Sequence, residues 1–233
     1  MKRPGHIFFD LDHTLWDYEA NAGLTIRELL EAFAGPIGRQ LCFEEFYAVY
    51  HHHNQLLWTQ YRQDEIDNHI LRYERWRLAF ADLGVEEGKW MQDISRQFLE
   101  TCPRKPALMP NALAILDAIF PHYPMHIITN GFAPIQDLKL DHSGLRRFFK
   151  EIVTPDRSGF KKPHPQIFLD ALDAAGCKPE DALYIGDSHA EDMVGGSNLG
   201  MEVVFYNPQG KANPGGFREI RDLMELAGLL ELG

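Results

Sequence analysis

Five short apolar runs constrain this chain more than any other feature. They are Ile7-Phe8-Phe9, Met125-His126-Ile127-Ile128, Glu151-Ile152-Val153, Ala182-Leu183-Tyr184-Ile185 and Glu202-Val203-Val204-Phe205. None alternates cleanly with polar residues. A strand with one wet face alternates, whereas an unbroken run belongs to a strand covered on both faces, as in a parallel sheet. Helical patterns fall between the later runs, over residues 111–120, 134–143, 165–175 and 191–199. Gly144, Gly176 and Gly200 stand where glycines that end helices are expected. This alternation predicts an α/β fold, a Rossmann-like parallel sheet between two helical layers.

The first interval breaks the pattern. Residues 16–108, a stretch of 93, separate the first strand from the next core helix. Typical βα loops run to ~2–6 residues, so this is an inserted domain. Its apolar spacing is helical: Ala22, Ile26, Leu29, Leu30 and Phe33 form one stripe, and Ile66, Ile70, Tyr73, Phe80 and Leu83 form another. Ile94 and Phe98 suggest a further helix. The return segment carries Pro103, Pro106 and Pro110, stiff enough for a hinge strut. The expected organisation is a core of residues 1–15 and 109–233, with a helical domain over 16–108.

Composition narrows the function classes. With 45% apolar and 24% charged residues the chain is neither disordered nor of low complexity. It holds 23 Lys and Arg against 34 Asp and Glu, a formal charge of −11. Such a surface repels nucleic-acid backbones and anionic lipid, so the expectation is no nucleic-acid polymer and no membrane. An anionic substrate would need a metal or a well-placed lysine. Cys42, Cys102 and Cys177 are odd in number and widely spaced, which suits buried thiols in a reducing cytoplasm. Met1-Lys2-Arg3 is basic, but Asp10 and Asp12 interrupt the apolar stretch that a signal peptide would need. No run approaches the ~18 apolar residues of a membrane span. A cytoplasmic location is expected.

Chemistry gathers at the strand ends. The first strand runs into Asp10-Leu11-Asp12-His13-Thr14, the second into Thr129-Asn130-Gly131, the third is followed by Lys161-Lys162-Pro163, and the fourth runs into Gly186-Asp187-Ser188 with Asp192 beyond. In an open parallel sheet, ligands bind beyond the carboxyl ends of the strands. Residues two apart on a strand share a face, so Asp10 and Asp12 could address one site unless a turn intervenes. Close carboxylates repel unless a cation or proton lies between them, and Mg²⁺ is the natural hard cation for a phosphate site. Each motif alone has an ordinary explanation: an acidic helix cap, an Asn-Gly turn, a solvated basic pair, or acids at a helix N-terminus.

As an ordered set these motifs resemble the haloacid-dehalogenase-like hydrolase superfamily, with the 16–108 insert where that superfamily carries a helical cap. The resemblance implies a sheet of order 3-2-1-4-5 beneath a mobile cap whose closure excludes bulk water. It implies that Asp10 attacks phosphorus to form an aspartyl-phosphate, while Asp12 protonates the leaving oxygen and later activates water. Thr129, with nearby backbone amides at Asn130 and Gly131, would hold phosphoryl oxygens, and Lys162 would neutralise charge. Asp10, the Asp12 main-chain carbonyl and Asp187 would bind Mg²⁺. Asp192 would hold a metal-bound water or orient Lys162.

Asp12 separates chemistries within the superfamily. A departing alkoxide needs a proton and a departing halide does not, so the resemblance implies a phosphatase rather than a dehalogenase. A phosphonate-cleaving member would need a lysine early in the cap, and the only lysines between Trp16 and Leu108 are Lys89 and Lys105. The run Phe9 to Asp17, with Gly186-Asp187-Ser188 and Gly195-Gly196, resembles the pyrimidine 5′-nucleotidase branch. A nucleoside 5′-monophosphate is therefore the expected substrate among small phosphorylated metabolites. The alternatives are a sugar or organic-acid phosphatase (one acting on phosphoglycolate, for example), a phosphomutase, or a non-catalytic module that binds a phosphorylated ligand. Trp16, which enters the cap at the hinge, could stack on a base, while Trp58, Trp76 and Trp90 suit a helical core. His51-His52-His53 would point to different faces of a helix and suit its surface. Monomer and homodimer are both compatible with the sequence.

Overall fold

The computed structural model describes residues 3–232; Met1 and Lys2 of the basic start lie outside the described residues. In chain order the elements are β1 (His6–Phe9), α1 (Tyr18–Ala32), α2 (Ala34–Ile37), α3 (Phe43–Arg62), α4 (Asn68–Asp82), α5 (Trp90–Thr101), α6 (Ala112–Ile119), β2 (Met125–Ile128), α7 (Ala133–His142), β3 (Phe149–Val153), α8 (Pro155–Ser158), α9 (Pro165–Ala175), β4 (Ala182–Gly186), α10 (Val194–Ser197), β5 (Glu202–Tyr206), β6 (Arg218–Ile220) and α11 (Glu225–Leu229).

The strands form one sheet of order β3-β2-β1-β4-β5-β6, with every neighbouring pair parallel. All four residues of β2 and all five of β4 are buried, as unbroken apolar runs require. Phe8, Ile128, Val153, Ile167, Phe168, Tyr184 and Phe205 pack into one apolar cluster with neighbouring buried side chains. The chain builds outward from β1 through β2 to β3, then returns to place β4 on the other side. That reversal opens a crevice at the carboxyl ends of β1 and β4, where α/β sheets bind ligands. Gly144, Gly176 and Gly200 all adopt positive φ.

Several sequence expectations need correction. The sheet has a sixth strand, β6, whose three residues carry two charges and so show no apolar run. The helix expected over 191–199 begins as a π-helical turn at His189–Met193 and becomes α-helical only at Val194. The buried face of α4 is Leu71, Arg75, Trp76, Ala79 and Phe80, while Ile70 points outward; large polar-tipped side chains make up part of this core, so apolar periodicity misphased the helix. Of the cysteines only Cys102 is buried, and Cys42 is exposed where it precedes α3.

The chain divides into two compact units, one of described residues up to Tyr18 with those from Lys105 onward, the other Glu19–Arg104. Residues 16–18 and 105–108, expected in the insert, therefore belong with the core. The cause is local pairing: Trp16 bridges antiparallel to Leu108, and the Asp17 amide donates to the Ala107 carbonyl. Within the Glu19–Arg104 unit, α3 packs against α4 through Phe46, Tyr50, Trp76 and Phe80, and Phe98 of α5 closes against Trp76 with ring centroids 5.5 Å apart. The histidine triplet lies on α3, where His53 meets Asp82 at 2.8 Å and His51 meets Glu19 at 3.4 Å. Among the described residues no helix is long and apolar enough to cross a membrane.

Candidate active site

The Lys162 ammonium forms the centre of the site. It donates to Asp10 Oδ1 at 2.7 Å, to Asp192 Oδ1 at 2.7 Å and to the Tyr184 hydroxyl at 3.0 Å, so its three hydrogens are all used. The lysine and Asp192 are almost wholly buried. Burial on its own drives a lysine towards neutrality, but the charges of Asp10 and Asp192 reverse that and hold Lys162 well above the ordinary lysine value.

Local structure explains why each group arrives here. β1 ends at Phe9, and the chain turns at once: the Leu15 and Trp16 amides return to the Leu11 carbonyl, and His13 adopts φ 62°. Asp10 therefore projects from a strand end while Asp12 belongs to a turn. The shared strand face expected for these two does not form, because there is no strand beyond Phe9. At the end of β4, Gly186 allows the Asp192 carboxylate to fold back; a Cβ there would lie 2.3 Å from Asp192 Oδ2. Asp192 Oδ2 accepts from the Ser188 amide at 3.0 Å, and its Oδ1 also accepts from Tyr184 at 2.8 Å. Both oxygens are thus engaged, and Asp192 orients Lys162.

Oxygens of Asp10, Asp187 and Asp192 lie within 4.8 Å of one another. Burial pushes the Asp10 pKa well above the usual carboxylate range; Lys162 opposes the shift, and Asp192 and Asp187 add to it. Asp187 is raised too, first by burial and then by Asp192, against the partial relief of His13 and Lys211. Lys211 reaches Asp187 Oδ2 only at 3.5 Å and is about half exposed. Four carboxylates (Asp10, Asp12, Asp187 and Asp192) therefore face two buried ammonium groups, Lys139 and Lys162. A hard dication held by Asp10 and Asp187 would relieve this excess of negative charge, and an all-oxygen donor set fits Mg²⁺.

Asp12 stands apart from that cluster. Its carboxylate accepts from Lys139 Nζ at 2.6 and 2.8 Å and from Gln136 Nε2 at 2.9 Å. Burial would raise its pKa, but this pairing outweighs burial and holds it below the ordinary value. Its carboxylate is not among the clustered oxygens of Asp10, Asp187 and Asp192.

The β2 loop divides its labour. Thr129 Oγ1 accepts from the Gln136 amide at 2.7 Å and the Gly131 amide at 3.1 Å, so its own hydrogen remains to be donated. The side chain of Asn130, whose main-chain amide is the group expected at a phosphoryl oxygen, turns to the lysine loop: its Oδ1 accepts from the Lys162 amide at 2.7 Å, and its Nδ2 donates to the Lys162 carbonyl at 3.0 Å and to Glu191 at 2.8 Å. It fixes the lysine loop. Trp16, expected to stack on a base, is enclosed. Its ring is wholly buried, its indole donates to the Lys105 carbonyl at 3.1 Å, and the Lys139 ammonium lies 4.6 Å from the ring centroid.

Sequence reasoning missed Gln136, Lys139 and Tyr184. The signal for the first two was a polar pair three apart on a helix, next to buried Leu140. Nothing about Tyr184 within an apolar run marks its hydroxyl as part of a charge network.

Comparison with known proteins bears on this geometry. The chain is 31% identical over 229 residues to pyrimidine 5′-nucleotidase YjjG of Escherichia coli (strain K12), covering 96% of each. It is 30% identical over 207 residues to the glyceraldehyde 3-phosphate phosphatase of Methanothermobacter thermautotrophicus, covering 87% of this chain and 85% of that one. The crystal structure of the HAD-hydrolase YfnB from Bacillus subtilis, bound to magnesium, superimposes with a TM-score of 0.88 at 27% identity over 99% of this chain and 100% of that one. Residues 5–200 match the family described as haloacid dehalogenase-like hydrolase. With that span and that fold, this chain belongs to the haloacid dehalogenase-like hydrolase family.

Proposed function

We propose that this protein hydrolyses phosphomonoesters of small metabolites through an aspartyl-phosphate on Asp10, with nucleoside 5′-monophosphates as its substrates. The observation that carries the reading is the buried Lys162 bridge between Asp10 and Asp192, set beside Asp187 in a cluster short of positive charge.

In the first half-reaction a carboxylate oxygen of Asp10 forms a bond to phosphorus. The bond from phosphorus to the ester oxygen breaks, its electron pair stays on that oxygen, and Asp12 delivers to it a proton that the carboxylate must first take up from solvent, since Lys139 and Gln136 favour its ionised form. In the second, Asp12 takes a proton from water as the water oxygen bonds to phosphorus; the acyl phosphate bond breaks and Asp10 regains its carboxylate. Lys162 holds Asp10 in place and faces the phosphoryl charge, and the Thr129 hydroxyl donates to a phosphoryl oxygen. Asp10, Asp187 and the Asp12 carbonyl would hold Mg²⁺, which when bound supplies charge neutralisation between the nucleophile and the phosphoryl group. The Glu19–Arg104 unit would act as the substrate-selecting cap.

Phosphate release by the purified chain with Mg²⁺, over a panel of nucleoside 5′-monophosphates, glyceraldehyde 3-phosphate, phosphoglycolate and hexose phosphates, tests this. Nucleotides should show the highest kcat/KM, and Asp10→Asn should lose at least ~10³-fold in kcat while keeping its circular dichroism. Preference for glyceraldehyde 3-phosphate would move the chain to the sugar-phosphatase reading that its archaeal relative suggests. Isomerised product would indicate a mutase. Binding without turnover of any ester would leave a phospho-ligand module.

A further inference from the structure

Gln136 and Lys139 lie three residues apart on α7, and both are buried. Their side chains leave the helix on one face and reach two loops at once. Lys139 chelates both Asp12 oxygens; Gln136 shares one amide nitrogen between Asp12 Oδ2 and Thr129 Oγ1. The rest of the surroundings fits this clamp. Gly131 lacks a Cβ where the Gln136 amide passes, since a Cβ there would lie 1.9 Å from Nε2. Trp16 packs its ring against the ammonium and is itself tied to the Lys105 carbonyl. The lysine side chain is 8% exposed and that of Asp12 24%, so the ammonium is the more enclosed partner of the pair.

Stability alone accounts poorly for such an arrangement. A buried ion pair roughly breaks even with a well-packed apolar pair, and ordering a long lysine side chain costs rotamer entropy besides. What the pair provides is a single orientation for a carboxylate that sits in a turn, with no strand to align it. We propose that Lys139, assisted by Gln136, is the positioning residue for Asp12, and that α7 thereby sets the proton-transfer carboxyl and the phosphoryl-binding Thr129 in register. The inference rests on the phosphatase reading above.

The test compares two esters in wild type, Lys139→Met, Lys139→Arg, Asp12→Asn and the Asp12→Asn/Lys139→Met double variant. An alkyl phosphate such as a nucleoside 5′-monophosphate needs a proton on its leaving oxygen; p-nitrophenyl phosphate does not. Lys139→Met should lower kcat on the alkyl ester by ~10²–10³-fold, the range of a general acid–base contribution, with KM within about threefold. Its first-turnover burst of p-nitrophenolate should stay within about threefold of wild type, and Lys139→Arg should recover much of the alkyl-ester rate. In the Asp12→Asn background the same lysine change should cost less than about twofold. Equal losses in the single-turnover rate of the alkyl ester and in the p-nitrophenolate burst, full additivity with Asp12→Asn, or wild-type rates in Lys139→Met would overturn the inference. Should Lys139→Met fail to fold, Gln136→Asn, which draws the second anchor back by one methylene, undergoes the same ester comparison and is expected to show the same selectivity. Failure of the underlying reading looks different: wild type would release no phosphate, or Asp12→Asn would be fully active.

Discussion

Removing the Lys162 ammonium should cost the core unit much of its stability, and the size of the loss follows from its partners. Lys162→Met keeps the stem of the side chain and deletes three hydrogen bonds, two of them charge-assisted at 2.7 Å. Asp10 and Asp192, with oxygens within 4.8 Å, then face each other uncompensated. At an effective dielectric of 20, two unit charges at that spacing repel by ~3.5 kcal/mol. Breaking a buried pair by deleting one partner costs ~3–5 kcal/mol in general, so both routes agree. For a chain of this size that amounts to a fall in melting temperature of ~6–20 °C. Thermal and urea denaturation at pH 7 in EDTA would measure it. The Lys162→Met/Asp192→Asn double variant carries the sharper expectation: neutralising one carboxylate should restore ~2 kcal/mol or more, since the repulsion vanishes. A single-variant loss below ~1 kcal/mol, or a double variant no more stable than the single, would refute the account of Lys162 as the counter-ion that holds this cluster together.

Asp187→Asn should act in opposite directions with and without metal. In EDTA it should leave stability unchanged or higher, because it removes a buried charge that Asp192 opposes; with Mg²⁺ it should shrink the metal-induced rise in melting temperature and increase the Mg²⁺ concentration for half-maximal activity by ~10–100-fold. At the opposite end of the sheet, His126 donates to or accepts from His6 at 3.0 Å and stacks on Phe8, and burial with the neighbouring His6 charge lowers its pKa to about 4. The unfolded chain therefore takes up a proton between pH 6.5 and 4 that the folded chain refuses. Stability is complete above 6.5 and falls as pH drops through that window. Urea denaturation at pH 7 and pH 5 should show a fall in wild type that His126→Gln reduces.

The sequence by itself determined the layers and the end of the sheet where the candidate site residues gather. Runs such as Met125-His126-Ile127-Ile128 have too few polar positions for a wet face, so burial on both sides and helices on each face follow from composition alone. The position of the functional loops after successive strands is equally local, because a parallel sheet brings all its carboxyl ends to one edge. Asp10, Lys162, Asp187 and Asp192 could be read in this way. The β6 strand could not, since three residues with two charges carry no periodic signal.

Only the tertiary structure decided what each polar side chain faces. Asp10 and Asp12 look equivalent in sequence, but a turn after Phe9 sends one to Lys162 and the other to Lys139 on a helix more than a hundred residues away. The Asn130 side chain and the Trp16 ring look equally available in sequence, yet long-range packing ties the first to the Lys162 loop and encloses the second against an ammonium. Hydrogen bonds and charge pairs act over ~3 Å between segments that the chain brings together only on folding, and no local pattern of residues encodes that partner choice.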